Sequence, residues 1–216
     1  QQLLVEPDAH YVLSGFTPLE ARALLARHNI TLRDSDTEQL CRVTRGNPLL
    51  LRLFVALHQL GETVPDALRM IPASPTFGLL LDRIRKRLTA DERQLLESLS
   101  VYRRAAPADA FAAHVTALNG LLQRGLAQRS ADDAVALQAA VRDVVYRALS
   151  AEARAQLHVQ AADVCSARAE FTEAAHHALQ AGQPALAVWT WFTHREQEIQ
   201  QGQAGSVAVN LAVDAD

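Results

Sequence analysis

The sequence predicts a mainly α-helical chain: a helical bundle first, then helices that end in a small β-hairpin, then antiparallel α-hairpins of solenoid type. Three observations carry this prediction. Capping boxes recur, at Thr17-Pro18-Leu19-Glu20, Ser35-Asp36-Thr37-Glu38 and Thr89-Ala90-Asp91-Glu92; a Ser or Thr with Glu three residues on satisfies two orphan N–H groups at a helix start. Apolar residues between the boxes recur at helical spacing. Two short apolar-polar runs, Leu126–Arg129 and Ala134–Leu137, flank the polar turn Ser130-Ala131-Asp132-Asp133, which is the pattern of a hairpin.

Composition bounds the rest. The chain has 216 residues, 49% of them hydrophobic, enough for one large domain or two to three small ones. Nine Gly and eight Pro argue against a long disordered tract. A net charge of −3, from 21 basic and 24 acidic residues, gives no general attraction to nucleic acid or to an anionic membrane. Cys41 and Cys165 lie far apart, form no metal or redox motif, and read as small buried apolar residues in a reducing compartment. No apolar run reaches the ~18 residues of a membrane span and no signal peptide opens the chain, so a cytoplasmic location without membrane partners is expected. The start at Gln1 suggests a piece cut from a longer protein.

Taken in order, Leu3–Val5 and Tyr11–Leu13 read as a strand end and its exit loop. The first capping box, with Pro18 at N1, starts a helix to about His28, and the second starts one to about Thr44. Arg45-Gly46-Asn47-Pro48 then sets an N-cap Asn and an N1 Pro before a strongly apolar helix to Gln59. Together, 17–70 make a small bundle. Pro65, Pro72 and Pro75 break helices, which places a linker or hinge at 62–75.

Phe77, Leu80, Leu81, Ile84 and Leu88 recur at helical spacing, predicting an amphipathic helix over 76–87. The third capping box starts a helix to about Ser98. Ala108–Ala113 and Thr116–Arg124 are further helices, and Gly125 stands where a C-cap residue belongs. Helices followed by a hairpin make a helix-turn-helix core with a wing, so 71–149 is read as a winged-helix domain. Ala151–Arg168, Phe171–Ala181 and Pro184–Gln200 are helices joined by short turns, hence antiparallel neighbours. Ala161, Ala162, Ala174, Ala175, Ala178 and Ala185 let them approach closely. Residues 150–216 are the start of a helical-repeat region whose period one copy cannot define; Gln200–Gly205 is a loop and the last residues a fraying end.

Gly46-Asn47-Pro48-Leu49-Leu50-Leu51 resembles the Gly-x-Pro motif of the lid in STAND-type P-loop ATPases, the class that includes NB-ARC proteins and the large LuxR-type regulators. Leu13-Ser14-Gly15-Phe16-Thr17-Pro18-Leu19-Glu20-Ala21 resembles the segment by which that family leaves its last core strand. The order of bundle, winged helix and TPR-like repeats is also that of the family after its ATPase core, so the resemblance spans about Leu13 to Gln200. It implies a lid subdomain over 1–70, with Pro48 beside the adenine of bound nucleotide and Arg45, Gly46 and Asn47 on the same face. Leu137-Gln138-Ala139-Ala140-Val141-Arg142-Asp143 resembles the family's Met-His-Asp-Leu-Val-Arg-Asp motif, whose histidine contacts the β-phosphate of ADP. Gln138 stands at that position and can donate a hydrogen bond but carries no positive charge.

The implied function is that of a regulatory fragment of a signal-transduction ATPase. No Gly-x-x-x-x-Gly-Lys-[Ser/Thr] and no Walker B strand occur in the sequence, so no catalytic residue is assigned and this chain is not expected to be an enzyme. ADP or ATP is the cofactor of the full-length parent, with none expected to bind tightly to residues 1–216 alone. The implied partners are the parent's own ATPase core, a protein or small-molecule ligand at the repeats, and further copies of the protein.

Two other classes stand beside this. A DNA-binding winged-helix regulator with a helical sensor would use Arg83, Arg85, Lys86 and Arg87, with Arg124 on the candidate reader helix 116–124. That helix carries one basic residue among aliphatics, and charge runs are usually solvated faces, so DNA is not the expected partner. The other is an α-solenoid interaction scaffold. No metal site is expected: adjacent His176 and His177 point ~100° apart on a helix, and Glu173 with His177 supplies two ligands only. Trp189, Trp191 and Phe192 cannot all face one core, which leaves one exposed or beneath a further repeat.

Overall fold

The computed structural model describes residues 14–73, 77–130 and 132–200. The strand end and exit loop expected at Leu3–Val5 and Tyr11–Leu13, and the loop and end after Gln200, lie outside the described residues. The chain forms two compact units, one running to Leu88 and taking in Gln123–Leu126, the other made of Thr89–Leu122 and the chain from Ala127 onward.

The first unit is a bundle of α1 (Pro18–Ala26), α2 (Asp34–Thr44), α3 (Pro48–Gln59), α4 (Val64–Ala73) and α5 (Phe77–Arg87). α1 begins as expected: the Thr17 hydroxyl accepts from the Glu20 N–H at 3.4 Å, and Glu20 Oε2 accepts from the Thr17 N–H at 2.8 Å. α2 departs from expectation, because the box at Ser35 does not form. The helix starts at Asp34, with Arg33 at the N-cap position and no side-chain cap. Thr37 is fully buried with Leu40, and its hydroxyl donates to the Arg33 carbonyl at 3.1 Å instead of capping. Asp34 and Asp36 favour the first turn through the helix dipole.

α3 starts as the sequence predicts, with Asn47 Oδ1 accepting from the N–H groups of Leu49 and Leu50 and Pro48 at the first position. Leu51, Leu53, Phe54, Val55, Ala56 and Leu57 are all buried, so α3 is the centre of the bundle. Pro65 and Pro72 do not make a non-helical linker, and Pro75 lies outside the described residues. Residues 64–73 form α4, with Pro65 in its first turn, where a missing N–H costs nothing. Thr63 accepts from the Asp66 N–H at 3.3 Å, and Ala67, Leu68 and Ile71 are buried as α4 packs on α2 and α3. α5, grouped by the sequence reading with the domain after it, packs on α3 through the buried Leu80, Leu81 and Ile84.

The second unit begins with α6 (Ala90–Ser100), whose capping box is complete: Thr89 and Glu92 exchange bonds at 3.2 and 3.0 Å. A two-residue strand follows, β1 (Ala106–Pro107), too short to show a sequence period. The helix expected at 108–113 is a 3₁₀ segment, Ala108–His114, broken at Phe111, and α7 (Val115–Gln123) follows it. β2 (Ala127–Arg129) and β3 (Ala134–Leu137) form the expected hairpin, with Ala127 opposite Leu137. β1 pairs with the other edge of β3, giving the order β1-β3-β2.

α8 (Ala139–Ala148), α9 (Ala151–Ala167), α10 (Phe171–Gln180) and α11 (Pro184–Gln200) complete the unit. α8 packs on α6, and α10 packs against both α9 and α11 through short connections, as in helical repeats. Ala161, Ala162, Ala174, Ala175 and Ala178 are buried as expected, but Ala185 is exposed and Ala187 fills the close contact in its place. No helix among the described residues is long and apolar enough to cross a membrane.

Candidate functional site

The corner between α2 and α3 is built by two glycines. Arg45 and Gly46 both take left-handed backbone, at φ 52° and 68°, and the Gly46 N–H closes α2 by donating to the Cys41 carbonyl at 3.1 Å. The Phe16 N–H donates to the Gly46 carbonyl at 2.7 Å, so the segment before α1 crosses this corner backbone to backbone. A Cβ on Gly46 would lie 2.5 Å from both Phe16 N and O, and one on Gly15 would lie 2.1 Å from the Arg45 carbonyl oxygen. The crossing therefore excludes any side chain at either position.

This crossing brings Phe16 of one segment beside Pro48 of another. Both line an open groove of ≈280 Å³, together with Glu20, Leu24, Arg27 and Arg52. The Glu20 carboxyl is held low by the backbone and side-chain hydrogen bonds of Thr17, which it caps, so it is already engaged. What remains is a largely apolar slot lined also by two arginine side chains, an arrangement that suits a flat neutral ring with anionic groups attached to it.

Of the four residues assigned to a nucleotide face at this corner, the groove takes in Pro48. Arg45 is exposed, Gly46 is buried in the crossing, and Asn47 is occupied as the α3 cap; none of these three lines the groove. Phe16, Arg27 and Arg52 were not foreseen. Arg52 was legible, since it follows Pro48 by four positions on one helix face. Phe16 and Arg27 come from a different helix start and end, and local pattern holds no sign of them.

Gln138 belongs to the second unit. It stands at the N-cap of α8 without capping it and donates from Nε2 to Gln128 Oε1 at 3.3 Å across the hairpin. The basic run lies on α5. Lys86 pairs with Asp82 at 2.9 Å, Arg87 pairs with Glu62, Arg83 is exposed and Arg85 is half-buried. Arg124 falls just past the end of α7, whose exposed face offers Asn119 and Gln123.

The histidines make a buried hydrogen-bonded chain. Tyr146 Oη meets His158 Nε2 at 3.1 Å, and His158 Nδ1 meets His177 Nδ1 at 2.9 Å. Burial, with the charge of neighbouring His176, pushes His158 down to about 4; burial with His158 beside it pushes His177 down to about 3. Both rings are neutral near pH 7. Glu173 does not join His177 as a ligand pair but accepts from Arg103, with Arg104 at 3.3 Å. Among the described residues no group of three or more His, Cys, Asp or Glu could hold a metal ion.

Cys165 is buried, and burial pushes its thiol up to about 12, as suits a small apolar residue. Cys41 is only half-buried, short of the buried position expected for it. On α11, Trp191 packs on the buried cluster of Ala175, Ala178 and Ala187, while Trp189 and Phe192 are exposed.

No protein-family model and no curated protein matches the chain. Among solved structures, it is similar to a Signal Transduction ATPase with Numerous Domains (STAND) protein with a tetratricopeptide repeat sensor from Pyrococcus horikoshii. The two are 18% identical, with a TM-score of 0.65 over 84% of this chain. The match covers 27% of that chain, so this chain spans about a quarter of its relative's length. The likeness is one of fold: helices, a small sheet, then helical repeats.

Proposed function

We propose that the chain is the regulatory part of a STAND-type nucleotide switch, with a helical lid in the unit that ends at Leu88, a winged helix from Thr89 to about residue 149 and the first sensor repeats after it. The observation that carries the reading is the Gly15–Gly46 crossing, which seats Phe16 and Pro48 on one groove edged by Arg27 and Arg52. The apolar slot takes the adenine of ADP or ATP, with Pro48 against the ring. Gly46 makes the corner and Asn47 fixes the start of α3, so their part is to aim Pro48; Arg45 is an exposed charge beside them. The fold likeness and the order of elements support the same reading.

The phosphates need a P-loop, and residues 1–216 contain none, so hydrolysis belongs to an ATPase core elsewhere in the parent. Gln138 occupies the position from which the family's histidine reaches the β-phosphate, and as a neutral amide it makes a weaker contact. A ligand or partner at the repeats shifts the switch by contacting one nucleotide state better than the other, which releases ADP and permits association with further copies.

The test is nucleotide release from the full-length parent. Pro48→Ala and Arg52→Ala are expected to speed ADP release about tenfold, equivalent to ~1.4 kcal/mol, while Arg83→Ala, at an exposed side chain of α5 outside the groove, leaves it unchanged. Equal release rates in all three variants and the parent overturn the reading.

A second reading, an interaction scaffold, is favoured by one observation. α11 exposes Leu186, Val188, Trp189, Phe192 and Ile199 along a single helix, and exposed apolar residues that cluster mark interaction surfaces.

A further inference from the structure

The second unit holds a cavity of ≈130 Å³ lined by the chain from Tyr102 to Pro107, the start of α10 and Glu198 of α11. Glu198 is 1% exposed. Its Oε2 accepts from the Thr172 N–H at 3.1 Å and from the Thr172 hydroxyl. Its Oε1 is equally buried and has no hydrogen-bond partner among the described residues. A buried carboxylate oxygen left unpartnered is costly, so its persistence in a cavity marks a place for a donor.

The charges around it specify the donor. Arg103 and Arg104 line the cavity with Glu170, Glu173 and Glu198, which leaves one negative charge in excess. Both arginines are spent on Glu173, and Glu170 pairs with Arg168 at 3.0 Å. Burial keeps the other titratable lining groups, Tyr102, Cys165 and His177, uncharged near pH 7. The uncompensated group is therefore Glu198. The volume falls short of the ~300–1,000 Å³ of sites for drug-sized ligands, so the occupant has few heavy atoms. A divalent metal is a poor fit, since it wants several oxygen ligands and one carboxylate oxygen is open.

We infer that this cavity binds a small protonated amine, whose ammonium donates to Glu198 Oε1 while its carbon body lies against Tyr102 and Pro107. Glu198 also caps the first turn of α10 from α11, so an occupied cavity tightens the contact between these two helices. The inference supplies a ligand class for the sensor repeats of the proposed switch and rests on that reading for its use; binding itself is measured without nucleotide.

The experiment is a titration of the 216-residue chain with ethylammonium or 1,4-diaminobutane, followed by amide NMR, against sodium chloride at equal ionic strength. Tetramethylammonium, which has the charge but no N–H, is the third probe. The expected result is saturable shifts at Thr172 and Glu198 with one or both amines, the tighter of the two telling whether a monoamine or a diamine is preferred, and none with tetramethylammonium. Glu198→Gln should weaken binding at least tenfold. Arg104→Gln, at a side chain 55% exposed and outside the core, should strengthen it a few-fold by removing a positive charge from the cavity lining while Arg103 still holds Glu173. Absence of amine shifts beyond the salt control, equal binding of tetramethylammonium, or unchanged affinity in both variants overturns the inference. Any of these leaves the ADP-release test at Pro48 standing, and failure of that test leaves amine binding intact.

Discussion

Arg103 grips Glu173 with two parallel bonds, Nε to Oε2 at 2.8 Å and Nη2 to Oε1 at 2.7 Å, across 70 positions of sequence. Arg142 adds a bond from its guanidinium to the Arg103 carbonyl at 3.2 Å. The fork thus ties the chain after α6 to α10 and to α8. Glu173→Gln keeps the shape but leaves two guanidinium groups facing a neutral amide. Breaking one side of a buried pair costs several kcal/mol, and Arg103 is partly solvated, so a loss of about 2 kcal/mol is expected in urea denaturation.

The same carboxylate sets an acid limit. Burial alone would raise it, but the Arg103 hydrogen bond and charge, with the charges of Arg104 and His176, more than offset burial and hold it below the ordinary value of 4.5. Its folded pKa is depressed, so the stability it contributes is present above pH 4.5 and is lost as pH falls through the folded value. Stability curves of the chain and Glu173→Gln should converge as pH falls below 4.5 and through the lowered folded value.

The histidine pair acts over a different range. His158 and His177 sit near 4 and 3 in the folded chain against an ordinary 6.5. Above pH 6.5 both states hold neutral rings and no penalty arises. Below it the unfolded chain takes up protons that the folded chain refuses, so stability falls steadily from pH 6.5 toward pH 4. Imidazole NMR should show both rings neutral at pH 5.5, and titration of either His158 or His177 near 6.5 in the folded chain contradicts this.

Gly46 and Gly182 separate backbone strain from collision. Both have left-handed φ, 68° and 76°, but a Cβ on Gly46 meets Phe16 at 2.5 Å while one on Gly182 meets nothing within 4 Å. Gly182→Ala is expected to cost about 1 kcal/mol, the penalty of the left-handed region. Gly46→Ala should cost at least ~3 kcal/mol, because backbone atoms must move as well. Calorimetry of the two variants checks the order.

Trp189 and Trp191 are neighbours on α11 with opposite surroundings, 64% exposed and packed against alanines respectively. Acrylamide should quench one tryptophan strongly. Trp189→Phe should remove that component and Trp191→Phe the protected one.

Much of this fold was legible because its signals are local. Thr17 with Glu20, Thr89 with Glu92, and Asn47 with Pro48 each fix a helix start within four residues, and all three starts form. The hairpin 126–137 was readable for the same reason. The errors share the opposite cause. Ser35 carries a proper box, yet burial of Thr37 and Leu40 sets the α2 register. Pro65 and Pro72 signal a break, yet α4 forms because Ala67, Leu68 and Ile71 have a bundle to bury against. Local propensity is worth a few tenths to about 1 kcal/mol per residue and about 3 kcal/mol for an interior proline, while each large apolar side chain buried contributes roughly 1.5–3 kcal/mol, and α4 buries both Leu68 and Ile71.

By itself, then, the sequence determined most of the helices, the caps at Thr17, Asn47 and Thr89 and the hairpin, all of which depend on neighbours within a turn. Tertiary structure alone decided that Phe16 and Arg27 meet Pro48, that β1 joins the sheet, that Glu173 answers Arg103 rather than His177, and that Glu198 keeps one oxygen open in a cavity. Each of these is a meeting of residues far apart in the chain. Hydrogen-bond geometry and close packing choose such meetings, and a one-dimensional pattern carries no term for distance in space.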